Sequence, residues 1–142
     1  MITTSTKIRV RYAETDQMGV VYHANYAVYF EVGRTEMFRQ IGLPYAKMEE
    51  NGIMLPLIDL HCNYKQSAKY DDELTIVTSL DEMPNIKIRF NYKVLNAEGK
   101  VLCDGYTTLV FIDTARNRPT KMPDYIRELI EPYFKDDNSS AE

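Results

Sequence analysis

From Ile86 to Leu95 the chain alternates without interruption. Ile88, Phe90, Tyr92 and Val94 fall on one side, and Lys87, Arg89, Asn91 and Lys93 on the other. A period of two predicts a strand with one buried face and one wet face. Similar runs predict strands over Met54–Tyr64, Leu74–Met83 and Val101–Ile112. An opening strand is expected where Ile8, Val10 and Tyr12 alternate with Arg9 and Arg11. Met83-Pro84-Asn85 and Asn96-Ala97-Glu98-Gly99-Lys100 read as hairpin turns, and Lys69-Tyr70-Asp71-Asp72 as a further turn.

The period changes once. Tyr26, Phe30, Gly33, Met37 and Ile41 follow steps of 4, 3, 4 and 4, which is a single helical face. Gly42-Leu43-Pro44 ends that helix. Gly33 lies inside it at a cost of up to ~1 kcal/mol against Ala, so a close approach to a neighbouring surface is expected there. Tyr45–Asn51 predicts a short second helix and Pro123–Phe134 a closing one, ahead of a polar tail over 135–142. One long helix against about five mostly antiparallel strands is an α+β arrangement in a single domain, residues 1–134. Short exposed sheet edges invite pairing between subunits, so a dimer is expected.

Composition narrows the function classes. At 142 residues the chain makes one domain of ordinary size, and at 44% hydrophobic and 27% charged it reads as soluble and globular. A net charge of −4 argues against non-specific nucleic-acid binding. No apolar run approaches the roughly 20 residues of a membrane span, and Met1 to Lys7 lacks an apolar signal core. Cys62 and Cys103 are the only cysteines, which reads as free thiols in a reducing compartment and places the protein in the cytoplasm.

The candidate chemistry concentrates between strand and helix, where Asp16, His23 and Asn25 share one short loop with Gly19. The first backbone N–H groups of a helix lack internal partners and carry partial positive charge. A carboxylate beside such donors is half of an acyl-transfer site, because the donors can stabilise an oxyanion while the carboxylate acts on the carbonyl carbon. Taken alone, Asp16 reads more readily as a turn residue or helix cap than as a catalytic carboxylate. No Ser, Thr or Asp immediately precedes His23, which would leave the first-turn donors free unless Asn25 caps them. His61 reads as a structural histidine, the acidic Asp71-Asp72-Glu73 run as a solvated turn, and Glu31 and Glu36 as partners of Arg34 or Arg39 or as solvent-facing. There is no phosphate loop, no H-E-x-x-H and no G-x-S-x-G elbow.

Asp16-Gln17-Met18-Gly19-Val20-Val21-Tyr22-His23-Ala24-Asn25-Tyr26, followed by Arg34-Thr35-Glu36-Met37, resembles the signature of the 4-hydroxybenzoyl-CoA thioesterase family. Within it the chain is most similar to the acyl-CoA thioesterases associated with the Tol-Pal system, from about Ile8 to Phe134. The resemblance implies the hotdog fold, an antiparallel sheet wrapped around a long central helix. It also implies hydrolysis of an acyl-CoA to a carboxylic acid and free CoA, with no metal or other cofactor. Asp16 would be nucleophile or general base, the Tyr22-His23 helix tip would hold the carbonyl oxygen, and the His23 side chain could assist the leaving thiolate. Val21, Tyr22 and Asn25 are candidate substrate contacts. Lys87 and Arg89, with Lys93, Lys65 and Lys69, are candidates for the CoA phosphates. Family sites lie between subunits, and dimers often pair into tetramers. Two rival readings stand beside this one: a hotdog β-hydroxyacyl-thioester dehydratase pairing His23 with Glu31, and a non-catalytic acyl-CoA-binding protein.

Overall fold

The computed structural model describes residues 1–43 and 45–140, with side chains described as far as Lys135; Pro44, assigned to the helix stop, and residues 141–142 lie outside that range. Among the described residues eight strands and three α-helices follow one another: β1 (Ile2–Arg9), α1 (Asn25–Gln40), α2 (Tyr45–Glu50), β2 (Ile53–Met54), β3 (Leu57–Tyr64), β4 (Glu73–Leu80), β5 (Lys87–Leu95), β6 (Val101–Val110), β7 (Ile112–Asp113), β8 (Arg118–Pro119) and α3 (Asp124–Ser140). Five strands form one antiparallel sheet in the order β1-β4-β5-β6-β3. The short β2, β7 and β8 form a separate small sheet.

The alternation in β5 is obeyed residue by residue. Ile88, Phe90, Tyr92 and Val94 are buried, while Lys87, Arg89 and Lys93 are exposed. Helix α1 lies on the buried face through Tyr26, Phe30, Gly33 and Met37, as the spacing predicts, joined by Tyr29 and Phe38. The Phe30 ring stacks on Tyr92 with centroids 4.3 Å apart, and Phe38 meets Phe90 edge-on at 5.5 Å. Gly33 faces β4. A Cβ there would collide with the Thr78 hydroxyl and come within 2.9 Å of Ile76 Cγ2, which explains a glycine in mid-helix.

Several boundaries differ from expectation. The opening strand begins at Ile2 and ends at Arg9, and Tyr12–Glu14 form a 3-10 turn instead of continuing the alternation. Its inward positions include Thr4 and Thr6, β-branched residues that suit a strand but carry no apolar signal. The Met54–Tyr64 run divides at Leu55-Pro56 into β2 and β3, since proline has no N–H for the ladder. The last long strand stops at Val110, and Ile112 joins the small sheet. The closing helix runs past Phe134 to Ser140. Strand β3 is an edge of the large sheet, and its Leu57, Ile58 and Leu60 are 44%, 52% and 43% exposed.

Candidate active site

The loop carrying Asp16 is closed by its own hydrogen bonds. Asp16 N–H donates to Val20 O at 2.8 Å, Gly19 N–H donates to Asp16 O at 3.0 Å, and Thr15 bridges to Val21. Gly19 has φ +79°, a conformation costly for a residue with a Cβ. Asp16 Oδ1 accepts from the N–H groups of Met18 at 2.8 Å and Val20 at 3.4 Å. Asp16 is therefore a turn residue, but only through one oxygen. Its Oδ2 makes no hydrogen bond among the described residues. Loop and helix are pinned to the β3–β4 connection, where Val21 N–H donates to Ala68 O at 2.8 Å and Val20 bridges to Lys69.

The helix tip differs in detail from the sequence expectation. Asn25 is the first residue of α1, and Ala24, in helical conformation, occupies the cap position without a side-chain cap. Tyr22 N–H is engaged by Glu14 O at 2.9 Å, so it is not a free donor. Asn25 N–H donates to Tyr22 O at 2.9 Å, closing a turn across His23 and Ala24. The N–H groups of His23 and Ala24 make no hydrogen bond among the described residues. Asn25 neither caps nor faces the cavity: its amide donates to Glu14 O at 2.8 Å, tying helix to loop. The His23 ring rests against Tyr22 at 4.4 Å, and His23 O accepts from the Tyr64 hydroxyl at 3.1 Å.

Asp16, Val21 and His23 line one cavity of about 310 Å³ together with Met18, Tyr26, Tyr64, Lys65 and Ser67. Tyr26 is buried, and that burial raises its phenol above its ordinary value, keeping an uncharged hydroxyl there. Of the basic candidates, Lys65 lines this cavity, paired to Asp104 at 3.4 Å. Lys87 and Arg89 do not; they stand on the outer face of β5, where the Arg89 guanidinium lies 3.7 Å over the Tyr106 ring. Tyr22, 47% exposed, is also outside the lining. Glu31 lines a separate hollow with Arg34, Leu57 and Leu60, so His23 and Glu31 are not brought together within this chain. Glu36 pairs with Arg39, whereas Arg34 turns to the phenols of Tyr45 and Tyr92. His61 is exposed and stacks on Tyr106 at 5.2 Å.

Sequence reasoning missed Tyr64, Tyr26, Met18 and Ser67 as cavity residues. For Tyr64 a signal existed, since the period of two in β3 puts it on the face of Leu60 and Cys62. Nothing in that period indicates which inward residue meets the helix tip.

The chain matches the family model described as the thioesterase-like superfamily over residues 10–130. It is 34% identical to the Bacillus subtilis protein YneP over 119 residues, covering 84% of this chain and 86% of that one. It is 30% identical to the acyl-CoA thioester hydrolase YbgC of Escherichia coli O157:H7, over 82% of this chain and 87% of the relative. Among solved structures, a DHNA-CoA thioesterase from Staphylococcus aureus superposes with a TM-score of 0.89 at 35% identity, covering all of this chain and 97% of the other. The sheet and helix described above are thus a hotdog fold.

Proposed function

The chain belongs to the thioesterase-like superfamily, and from that premise we propose that it is an acyl-CoA thioesterase, releasing a carboxylic acid and free CoA. Within the superfamily we place it in the 4-hydroxybenzoyl-CoA thioesterase family, near the Tol-Pal-associated enzymes, on the strength of the Asp16–Tyr26 motif. One observation carries the reading above the others. Asp16, with one carboxylate oxygen held and the other unengaged, shares a cavity with His23, whose backbone N–H is also unengaged.

In the proposed reaction the thioester carbonyl oxygen sits against the His23 and Ala24 N–H groups. These stabilise negative charge as it develops there. Two main-chain donors fix Asp16 Oδ1, leaving Oδ2 to act. Either Oδ2 attacks the carbonyl carbon, giving CoA thiolate and a mixed anhydride that water then hydrolyses to the acid and free Asp16, or it takes a proton from the attacking water. We assign delivery of a proton to the departing sulfur to the His23 ring, which lines the cavity. The route uses water, a carboxylate and main-chain donors, calls for no metal or redox group, and takes CoA as part of the substrate.

The rings of His23, Tyr26 and Tyr64 favour a flat acyl group, and a DHNA-CoA thioesterase is a structural relative at 35% identity. Aromatic acyl-CoAs therefore head the proposed substrate class, ahead of short and medium aliphatic ones. Lys65 is the proposed contact for a CoA phosphate, in preference to Lys87 and Arg89. The exposed apolar edge of β3 supports a homodimer, with a tetramer as its further pairing. Two unpaired thiols support a reducing, cytoplasmic setting.

The test is thiol release from a panel of acyl-CoAs. Wild type is expected to hydrolyse at least one class, and Asp16→Asn to lower kcat by about 10² or more. Ligand binding without turnover would favour an acyl-CoA-binding protein, and formation of an α,β-unsaturated product a dehydratase.

A further inference from the structure

Glu14 stands two residues before Asp16 and has no task in the chemistry proposed above, yet five donors converge on it. Its Oε1 accepts from Arg11 N–H at 2.9 Å and the Tyr29 hydroxyl at 3.1 Å, and Oε2 accepts from Arg11 Nε–H at 3.2 Å. Its main-chain carbonyl accepts from Tyr22 N–H at 2.9 Å and from the Asn25 amide at 2.8 Å. Tyr22 and Asn25 bracket His23-Ala24, the two residues whose N–H groups are left over. Tyr29 lies one turn further along α1. Side chain and main chain of one residue thus grip the loop and the first two turns of the helix.

The Tyr29 contact is the part of this grip that is largely shielded from water, while the Arg11 contacts are exposed. The Glu14 side chain is 15% exposed and Tyr29 2%. Burial, then the neighbouring carboxylate, raises the Tyr29 phenol far above its ordinary value, so it remains a donor at any working pH. A bond of this kind costs more to lose than an exposed one, because the orphaned partner stays buried.

We propose that Glu14 is a positioning residue for acyl transfer, setting the His23 and Ala24 amides at the correct distance from the Asp16 carboxylate. The proposal rests on the thioesterase reading. Glu14 does not line the cavity shared by Asp16 and His23. A displaced oxyanion donor weakens the transition state more than the bound substrate, so the loss belongs in kcat rather than KM.

Glu14→Ala and Glu14→Gln are compared with wild type and Asp16→Asn for thiol release and for amide hydrogen exchange at Tyr22. Gln retains an acceptor oxygen for Arg11 N–H and Tyr29, so kcat is expected to stay within about threefold of wild type. Ala is expected to lower kcat by about 10- to 100-fold at nearly constant KM and to speed Tyr22 exchange by about tenfold. Tyr29→Phe removes one hydroxyl and is expected to give a smaller loss of the same kind, which serves if Glu14→Ala does not fold. A folded Glu14→Ala, or Tyr29→Phe in its place, with wild-type kcat and exchange overturns the proposal. So does Glu14→Gln as slow as Glu14→Ala with a displaced pH profile, since the charge would then take part in the chemistry. If wild type releases no thiol, the enzyme reading fails by itself, and Tyr22 exchange still decides whether Glu14 holds the helix tip.

Discussion

Tyr64 donates its phenol hydroxyl to the carbonyl of His23 at 3.1 Å. That carbonyl belongs to the same peptide unit as the unengaged Ala24 N–H, so edge strand β3 grips the unit from its acceptor side. A hydrogen bond to the carbonyl of a peptide polarises its N–H and makes it a stronger donor. Removing the hydroxyl should therefore weaken the oxyanion site without emptying it. Tyr64→Phe is expected to lower kcat by roughly fivefold, about 1 kcal/mol, with KM little changed. Steady-state kinetics against the preferred acyl-CoA check this, and an unaltered kcat would detach Tyr64 from catalysis.

The reach of the sequence ended where interactions became non-local. The Ile88–Val94 alternation and the Tyr26–Ile41 helical face were readable because each is a repeat within one element, and burial in this core follows them closely. Asp16 and His23 were readable as a pair because seven residues and one turn separate them. Tyr64 lies 41 residues from His23 and meets it only through sheet topology. The engagement of the Tyr22 amide depends on the 3-10 turn at Tyr12–Glu14, a segment whose alternation suggests more strand. Lys87 and Arg89 carry the right charge, but parity in β5 sends them to the outer face, away from the Asp16 cavity.

Gly33 offers a stability test of the helix–sheet contact. Helix propensity alone favours alanine there by about 1 kcal/mol. The added Cβ would nevertheless collide with the Thr78 hydroxyl and crowd Ile76. Gly33→Ala is expected to destabilise the fold by about 1–3 kcal/mol, the usual scale of overpacking. Thr78 Oγ1 is buried without a hydrogen-bond partner among the described residues, so Thr78→Ala should relieve part of the clash. Denaturant unfolding of the two single variants and the double variant should be non-additive in the favourable direction.

Cys103 is expected to make stability fall at alkaline pH. Burial, reinforced by nearby Cys62, pushes its thiol up from 9.0 to about 12. The native state therefore holds the proton more tightly than the unfolded chain does. The contribution is fully present below about pH 9 and is lost as pH rises toward 12. Tyr92, also pushed up to about 12 by burial, acts in the upper part of the same window. Thermal unfolding from pH 7 to 11 should show Tm falling above pH 9. Cys103→Ala should lower Tm at neutral pH but flatten the alkaline decline, and equal slopes in both proteins would contradict the assignment.

Among the described residues strand β3 pairs on one side, with β6, and its other side presents backbone donors and acceptors to a further strand. Edges that remain single are normally blunted by lysine, proline or a covering loop. Here Leu57, Ile58 and Leu60 are exposed along the strand instead. A second β3 running antiparallel would satisfy the backbone and cover those side chains, joining two five-stranded sheets through an isologous contact. Placing a charge in that strip should therefore cost association rather than folding. Ile58→Lys and Leu60→Lys are expected to shift the sedimentation mass from a multiple of 16.5 kDa to the single-chain value while far-ultraviolet circular dichroism is kept. A wild type that sediments as one chain at micromolar concentration, or variants that remain assembled, would move the interface away from this edge.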